Sequence, residues 1–486
     1  MFPNIQIYSI YLNKNRCLFS FKKIVVIKYT YFIHVKTKNY RTKRLKQTTN
    51  KILIMVTKKK GAKNLSFGDL IKITIDNKTF TGEFIKEEEG LTVIKLKSGY
   101  DIAIQNNSID GITVIEKGDK TAKKETAEKM APAGKPDISI ITTGGTISSK
   151  IDYRTGGVSP SIDSNYYFQI SPDLNKQGKI AISNLMSKLS ENMMPVDWIK
   201  IARKVYSEID NGSKGIVVTS GTDTMHFASS ALSFLLNPLS TSVVFTGSQR
   251  STDRGSTDAS MNLLLSAIAA KNFVGGESVI CMHADLNDGY NFILRGNKAR
   301  KMHTERRDAF RPINIMPLAR VYTDGRIENI HKEIIPKGKT TKLNDKIDEN
   351  VKLIYGYPSM GGDIIEYYTE KKVHGIVIAA TGFGNLPLGD KTLIKALKKT
   401  EKEEIPIIIT SQTIYGPTNK FVYSTLREIS RFDNIIYVGD MTTETAFVKL
   451  MFALGNSRNL KEVKDIMSKN IAGEMGERSG IDEFLI

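Results

Sequence analysis

Continuous apolar runs of strand length recur through the last two thirds of this chain, and they constrain its fold more than any other feature. Ile138-Ser139-Ile140-Ile141, Gly215-Ile216-Val217-Val218, Ser242-Val243-Val244-Phe245 and Ser278-Val279-Ile280-Cys281 form one set. Val351-Lys352-Leu353-Ile354-Tyr355, Gly375-Ile376-Val377-Ile378, Ile405-Pro406-Ile407-Ile408-Ile409 and Asn434-Ile435-Ile436-Tyr437-Val438 form another. A strand that is apolar on both faces needs cover on both, the condition of a parallel sheet packed between helices. Segments such as 225–236 and 257–270 supply those helices. The expectation is an α/β fold of two domains with parallel sheets, a large one over 137–335 and a small one over 350–486, joined by a Lys-, Asp- and Asn-rich stretch.

Upstream the period changes. Between 64 and 117, runs such as Leu70-Ile71-Lys72-Ile73-Thr74-Ile75 alternate apolar and polar, with turns at Asp76-Asn77, Glu89-Gly90 and Ser98-Gly99. That pattern predicts antiparallel strands and a small β-barrel domain, a module suited to docking more than to catalysis. Residues 118–136 are Lys-rich with Ala, Pro and Gly and carry no apolar period, as expected of a linker.

Charge is unevenly placed. Residues 1–54 hold nine Lys, three Arg and no acid, so +12 of the net +19 lies there, and the rest of the chain carries only +7. A nucleic-acid footprint over the whole protein is correspondingly weak. The expectation for 1–54 is a non-native or disordered basic extension: translated upstream sequence ahead of a native start at Met55, with a disordered basic arm and a transit peptide as rivals. No uncharged apolar run is long enough to span a membrane. Cys17 and Cys281 are the only cysteines, which excludes a disulfide framework and fits a reducing cytoplasm. The six His have no metal-ligand spacing, so no metal and no cofactor is expected in this chain.

Three segments carry chemistry. Thr143-Gly144-Gly145-Thr146 leaves the carboxyl end of the first run, where open α/β sheets bind ligands and where glycines let backbone N–H groups approach closely. It matches neither a dinucleotide fingerprint nor a phosphate loop. Alone it also reads as a Gly-Gly turn with a Thr cap. Gly221-Thr222-Asp223 places a second hydroxyl and a carboxylate at the end of another run; alone, either residue also reads as an N-cap. Lys301 follows the fourth run, and a lone Lys is ordinarily a solvated surface group.

Together, T-G-G-T-I after a strand and G-T-D-T-M before a helix, 76 residues apart, resemble the asparaginase/glutaminase family of threonine amidohydrolases from about Asp137 to the C-terminus. The resemblance implies Thr146 as nucleophile, with Tyr153 in the loop Tyr153-Arg154-Thr155-Gly156 closing over it. It implies Thr222, Asp223 and Lys301 as a second catalytic cluster, and Ser190 and Glu191 as the segment holding a substrate α-carboxylate. A Thr hydroxyl is a weak nucleophile and needs a neighbouring base or relay. A desolvated Lys301 can take the proton from Thr222, while Asp223 holds the Lys or binds the substrate's α-ammonium. Backbone N–H groups near Thr146 and Thr222 would receive the oxyanion. The residues alone do not decide which Thr attacks.

Free enzymes of the family usually have Gln where this chain has Glu191. That variant, the run Met194-Pro195-Val196-Asp197-Trp198, the segment Gln249-Arg250-Ser251-Thr252-Asp253 and the added N-terminal domain are similar to the D-subunit family of archaeal-type glutamyl-tRNA(Gln) amidotransferases. This second resemblance implies glutamine hydrolysis with ammonia passed to a partner, the E subunit, which uses ATP and Mg to amidate Glu-tRNA(Gln). It also implies a homodimer within a heterotetramer, tRNA held mainly by the partner, and a cytoplasmic location. Segments near 419–423 and 440–444 look like the family's dimer region. A free cytoplasmic L-asparaginase is the rival enzyme, and a non-catalytic tRNA-binding scaffold the rival of another class.

Overall fold

The computed structural model describes residues 65–66, 68–88, 90–96, 101–118, 134–152, 157–160, 165–252 and 257–485. The segment 1–54, nearly all of the 118–136 linker and the loop 153–156 with Tyr153 lie outside them. The chain divides into two compact units, Met1–Ala122 and Lys123–Ile486.

The first unit is one antiparallel sheet of β1 (Leu70–Ile75), β2 (Lys78–Glu88), β3 (Leu91–Leu96), β4 (Asp101–Gln105) and β5 (Gly111–Glu116), in the order β4-β3-β2-β1-β5. Asp76 and Asn77 both have positive φ, as the two-residue hairpin turn between β1 and β2 requires. Alternate residues Ile71 and Ile73 are fully buried with Ile94, the face that period-two alternation predicts. Asp69 clasps the start and end of the module. It accepts from Lys117 Nζ at 2.8 Å, from the Ser66 amide at 2.9 Å and from the Gly118 amide at 2.9 Å, which hold its carboxyl down to about 2. The expected barrel is not seen, because among the described residues the outer strands β4 and β5 form no ladder with each other. Alternation specifies which face is buried but not whether the edges meet, since an open and a closed sheet bury the same face.

In the second unit β6 (Ile138–Gly144) is followed by a hairpin of β7 (Ser149–Asp152) and β8 (Gly157–Pro160), then α1 (Asn165–Ile170), β9 (Ile180–Lys188), α2 (Pro195–Asp210), β10 (Gly215–Thr219), α3 (Met225–Leu235), β11 (Val243–Thr246), α4 (Ala259–Asn272) and β12 (Ser278–His283). The main sheet runs β17-β16-β13-β12-β11-β10-β6-β9, where β13 is Tyr290–Arg295, β16 Ala319–Tyr322 and β17 Ile327–Asn329. From β9 to β12 it is parallel; β13, β16 and β17 add antiparallel strands, so the sheet is mixed where a parallel one was expected. The short loop between β12 and β13 leaves no room for a crossover helix and forces the antiparallel return. Double cover is visible in β10, where Ile216 and Val218 join the core with α2 and α3 while Val217 joins that with α4.

Off this sheet stands a two-stranded ribbon, β14 (Ala299–Lys301) with β15 (Phe310–Pro312). The C-terminal half is a four-stranded parallel sheet of β18 (Val351–Tyr355), β19 (Gly375–Ala380), β20 (Ile407–Ser411) and β21 (Ile435–Tyr437), with α5 (Asp363–Glu370), α6 (Lys391–Lys402), α7 (Ser424–Ile429), α8 (Thr443–Asn456) and α9 (Leu460–Ser468). In α6, Leu393, Ala396, Leu397 and Thr400 form the buried stripe at helical spacing, and Asp390 caps its start by accepting from the Thr392 amide. Helix α8 packs on α3, with Phe452 stacked on Phe234 at 5.9 Å, so the two halves share one core. No described helix is long and apolar enough to cross a membrane.

Candidate active site

β6 lies between β9 on one side and β10 on the other, so the strand order reverses there, and the carboxyl ends of β6 and β10 form the edge at which open α/β sheets bind ligands. From that edge run both hydroxyl-bearing loops. Gly144 and Gly145 have φ of 108° and 81°, conformations that disfavour any side chain. A Cβ on Gly144 would meet the Lys188 carbonyl at 2.4 Å, and one on Gly145 the Gly221 nitrogen at 2.4 Å. The glycines therefore let the β6 loop lie backbone to backbone against the ends of β9 and β10. Thr143 Oγ1 donates to the Thr219 carbonyl at 2.9 Å and ties the same strands. Thr146 follows, half-buried, at the start of a short helical turn Thr146–Ser148.

Beyond β10, Thr222 is buried and Asp223 exposed, and neither side chain caps α3, whose N-cap position is Thr224. Lys301 Nζ donates to Thr222 Oγ1 at 2.8 Å and to Asp223 Oδ1 at 2.6 Å. Only 11% of the Lys301 side chain is exposed, so this is no solvated surface lysine. A hydroxyl, a carboxylate and an ammonium are thus in direct contact, an arrangement through which a proton can pass from one group to the next.

Ser190 opens a one-turn segment after β9 and approaches the same loop. Its hydroxyl is 3.5 Å from Asp223 Oδ2, its carbonyl accepts from Thr224 Oγ1 at 2.7 Å, and a Cβ on Gly221 would meet its own Cβ at 2.7 Å. Glu191 beside it is exposed. The turn is braced by the Met-Pro-x-Asp-Trp run: Pro195 takes the first turn of α2, and buried Asp197 accepts from the Met194 amide at 3.0 Å and from Lys188 Nζ at 2.5 Å. Burial is the largest single influence and works against the Asp197 charge, but the Lys188, Met194 and Lys200 contacts together outweigh it, and its carboxyl titrates below the usual range.

Two features were not read from the sequence. His226, in the first turn of α3, is buried, and burial, aided by the Arg300 and Lys301 charges, pushes its imidazole down to about 3. It is therefore neutral at neutral pH. Gly247, after β11, passes so close that a Cβ would meet the Ser220 carbonyl at 2.5 Å and the Thr222 methyl, Cγ2, at 3.0 Å. Only the small residue at the strand end hinted at it. Among the described residues no three His, Cys, Asp or Glu side chains group as metal ligands.

The family profile "Asparaginase, N-terminal" matches residues 137–334, and "Glutaminase/Asparaginase C-terminal domain" matches 350–467. The chain is 42% identical to the glutamyl-tRNA(Gln) amidotransferase D subunit of Methanobrevibacter smithii over 435 residues, covering 87% of this chain and 96% of that protein. It is 38% identical to the D subunit of Pyrococcus abyssi, over 87% of this chain and 98% of that one. Among solved structures, the thermostable L-asparaginase from Thermococcus kodakarensis superposes with a TM-score of 0.63 at 30% identity, covering 70% of this chain and 99% of that chain.

Proposed function

The chain belongs to the asparaginase/glutaminase family, among its glutamyl-tRNA(Gln) amidotransferase D subunits, and from that premise we propose that it is the glutaminase component of a tRNA-dependent amidotransferase. It hydrolyses glutamine and supplies ammonia to a partner, the E subunit, which holds ATP and Mg and converts Glu-tRNA(Gln) to Gln-tRNA(Gln). A homodimer within a heterotetramer, tRNA bound mainly through the partner and a cytoplasmic location complete this reading.

Thr146 Oγ adds to the side-chain amide carbon, and the oxyanion is received by backbone N–H groups of the two glycine-bearing loops. The C–N bond then breaks, the nitrogen takes a proton and leaves as ammonia, and water cleaves the resulting ester. Lys301, Thr222 and Asp223 move the protons, and the observation that carries the reading is their direct contact at 2.8 and 2.6 Å. Ser190 and Glu191 hold the α-carboxylate, and Tyr153 closes the site. The N-terminal antiparallel sheet serves docking.

The free asparaginase reading is weaker because the L-asparaginase of T. kodakarensis corresponds to 70% of this chain, whereas the D subunits match 87% of it and nearly their own full length. Co-expression with a candidate E subunit, followed by assay of glutamine-dependent Glu-tRNA(Gln) amidation, tests the proposal. Glutaminase activity that rises on adding the E subunit and tRNA is the expected result. Full asparaginase turnover by the chain alone, with no amidation in the complex, sinks it.

A further inference from the structure

Lys301 does not stand on the central sheet. It ends β14, a three-residue strand paired only with β15. An isolated two-stranded ribbon is marginal by itself. The placement of the Lys301 ammonium must therefore come from what grips residues 296–300. From α3, Ser229 Oγ donates to the Gly296 carbonyl at 2.9 Å. From the segment after β15, the Ile313 amide donates to the Lys298 carbonyl at 2.7 Å, and further grips come from the C-terminal half. Thr445 Oγ1 donates to the Asn297 carbonyl at 2.7 Å, and Asn297 Nδ2 donates to the Ala472 carbonyl at 2.8 Å. Buried Lys298 pairs with Asp440, and Arg300 Nε lies 3.2 Å from Glu444 Oε1.

Arg300 is the link that adjoins Lys301 directly, and its register partner across the ribbon is Arg311. Like charges directly opposite each other on paired strands repel. Arg311 is neutralised by Asp308, and Arg300 by Glu444. Glu444 sits in the first turn of α8, where an acid suits the helix dipole, but that service needs no burial. Its side chain is only 8% exposed, and its second oxygen takes no hydrogen bond among the described residues. A carboxylate desolvated to that degree is costly unless its charge is answered, and the charge it answers is that of Arg300.

We propose that Glu444 is a positioning residue: from α8 it fixes Arg300, and through Arg300 it holds Lys301 against Thr222 and Asp223. The inference rests on the reading of Lys301 as part of the catalytic relay.

The test is steady-state glutamine hydrolysis by the full chain in complex with the E subunit, comparing Glu444→Gln, Arg300→Met, the double variant and Lys301→Met, with thermal unfolding of each. Glu444→Gln is expected to lower kcat by about tenfold or more while KM stays within about twofold, as misplacement of a relay group does. Because both residues act through one contact, the double variant loses no more than the worse single one. Losses that multiply, or an unchanged kcat in folded Glu444→Gln, overturn the proposal. Should Glu444→Gln not fold, Arg300→Met carries the test, and an undiminished kcat there is equally fatal. If Lys301→Met keeps full kcat, it is the reading of the relay that fails, whatever Glu444 does.

Discussion

Gly145 and Gly221 meet backbone to backbone: a Cβ on the first would sit 2.4 Å from the amide nitrogen of the second. This one approach joins the two motif loops, whose hydroxyls are 76 residues apart in sequence, at one edge of the sheet. A side chain at Gly145 would push the loop that carries Thr146 away from the loop that carries Thr222.

Gly145→Ala should therefore damage catalysis more than stability. Its φ of 81° adds strain of about 1–3 kcal/mol for a non-glycine residue, and the clash displaces the loop. Glutamine hydrolysis is expected to fall by about a hundredfold or more. Gly325→Ala is the control: φ is 90° but no atom lies within 4 Å of the added methyl, so it should show the strain in thermal unfolding and leave kcat intact.

Single-turnover hydrolysis distinguishes the two hydroxyls. Thr146→Val should abolish formation of the acyl-enzyme, and Lys301→Met should slow it by about 10²- to 10⁴-fold, the usual contribution of a positioned acid or base. Near-normal single turnover in Thr146→Val, with Thr222→Val inactive, would reverse the assignment of nucleophile.

His226 predicts a pH dependence of stability. Its folded pKa of about 3 lies below the ordinary 6.5, so on acidification the unfolded chain takes up this proton first. The stability it contributes is fully present above about pH 6.5 and is lost progressively as pH falls towards 3. Denaturant unfolding between pH 5 and 7 should show a shallower slope for His226→Gln than for the unaltered chain. Parallel slopes would mean that the imidazole titrates normally.

The C-terminal half contains another buried ion pair, Lys449 with Glu474, at 2.5 Å and with both side chains fully buried. Burial depresses the Lys449 pKa, and Glu474 opposes that shift. Glu474→Ala leaves a buried ammonium with only the Met467 and Lys469 carbonyls, and should cost about 3–5 kcal/mol in chemical denaturation. Lys449→Met with Glu474→Leu should recover part of that loss. A double variant as unstable as Glu474→Ala would show that the amides of Ile471 and Ala472, which Glu474 also binds, matter more than the charge.

Strands buried on both faces announce themselves, because every position must be apolar or small; β19 extends its apolar run by two residues and β10 its own by one. Antiparallel β16 and β17 were not legible, since three- and four-residue strands at a sheet edge carry little periodic signal. Open or closed edges in the N-terminal sheet were likewise outside the reach of alternation. The hydroxyl motifs were readable because only small and polar residues tolerate those strand-end turns. Ser190, whose placement depends on the β9–β6 pairing and on α2, came from resemblance instead.

By itself, then, the sequence determined the double-covered α/β sheets and the residue types at their carboxyl ends, since both follow from local periodicity and local steric need. Which of those residues touch was decided by tertiary structure. Lys301 reaches Thr222 across 79 positions, and Glu444 reaches Arg300 from the other half of the unit. Such contacts depend on sheet order and on the packing of α3 against α8, which no short stretch of sequence encodes.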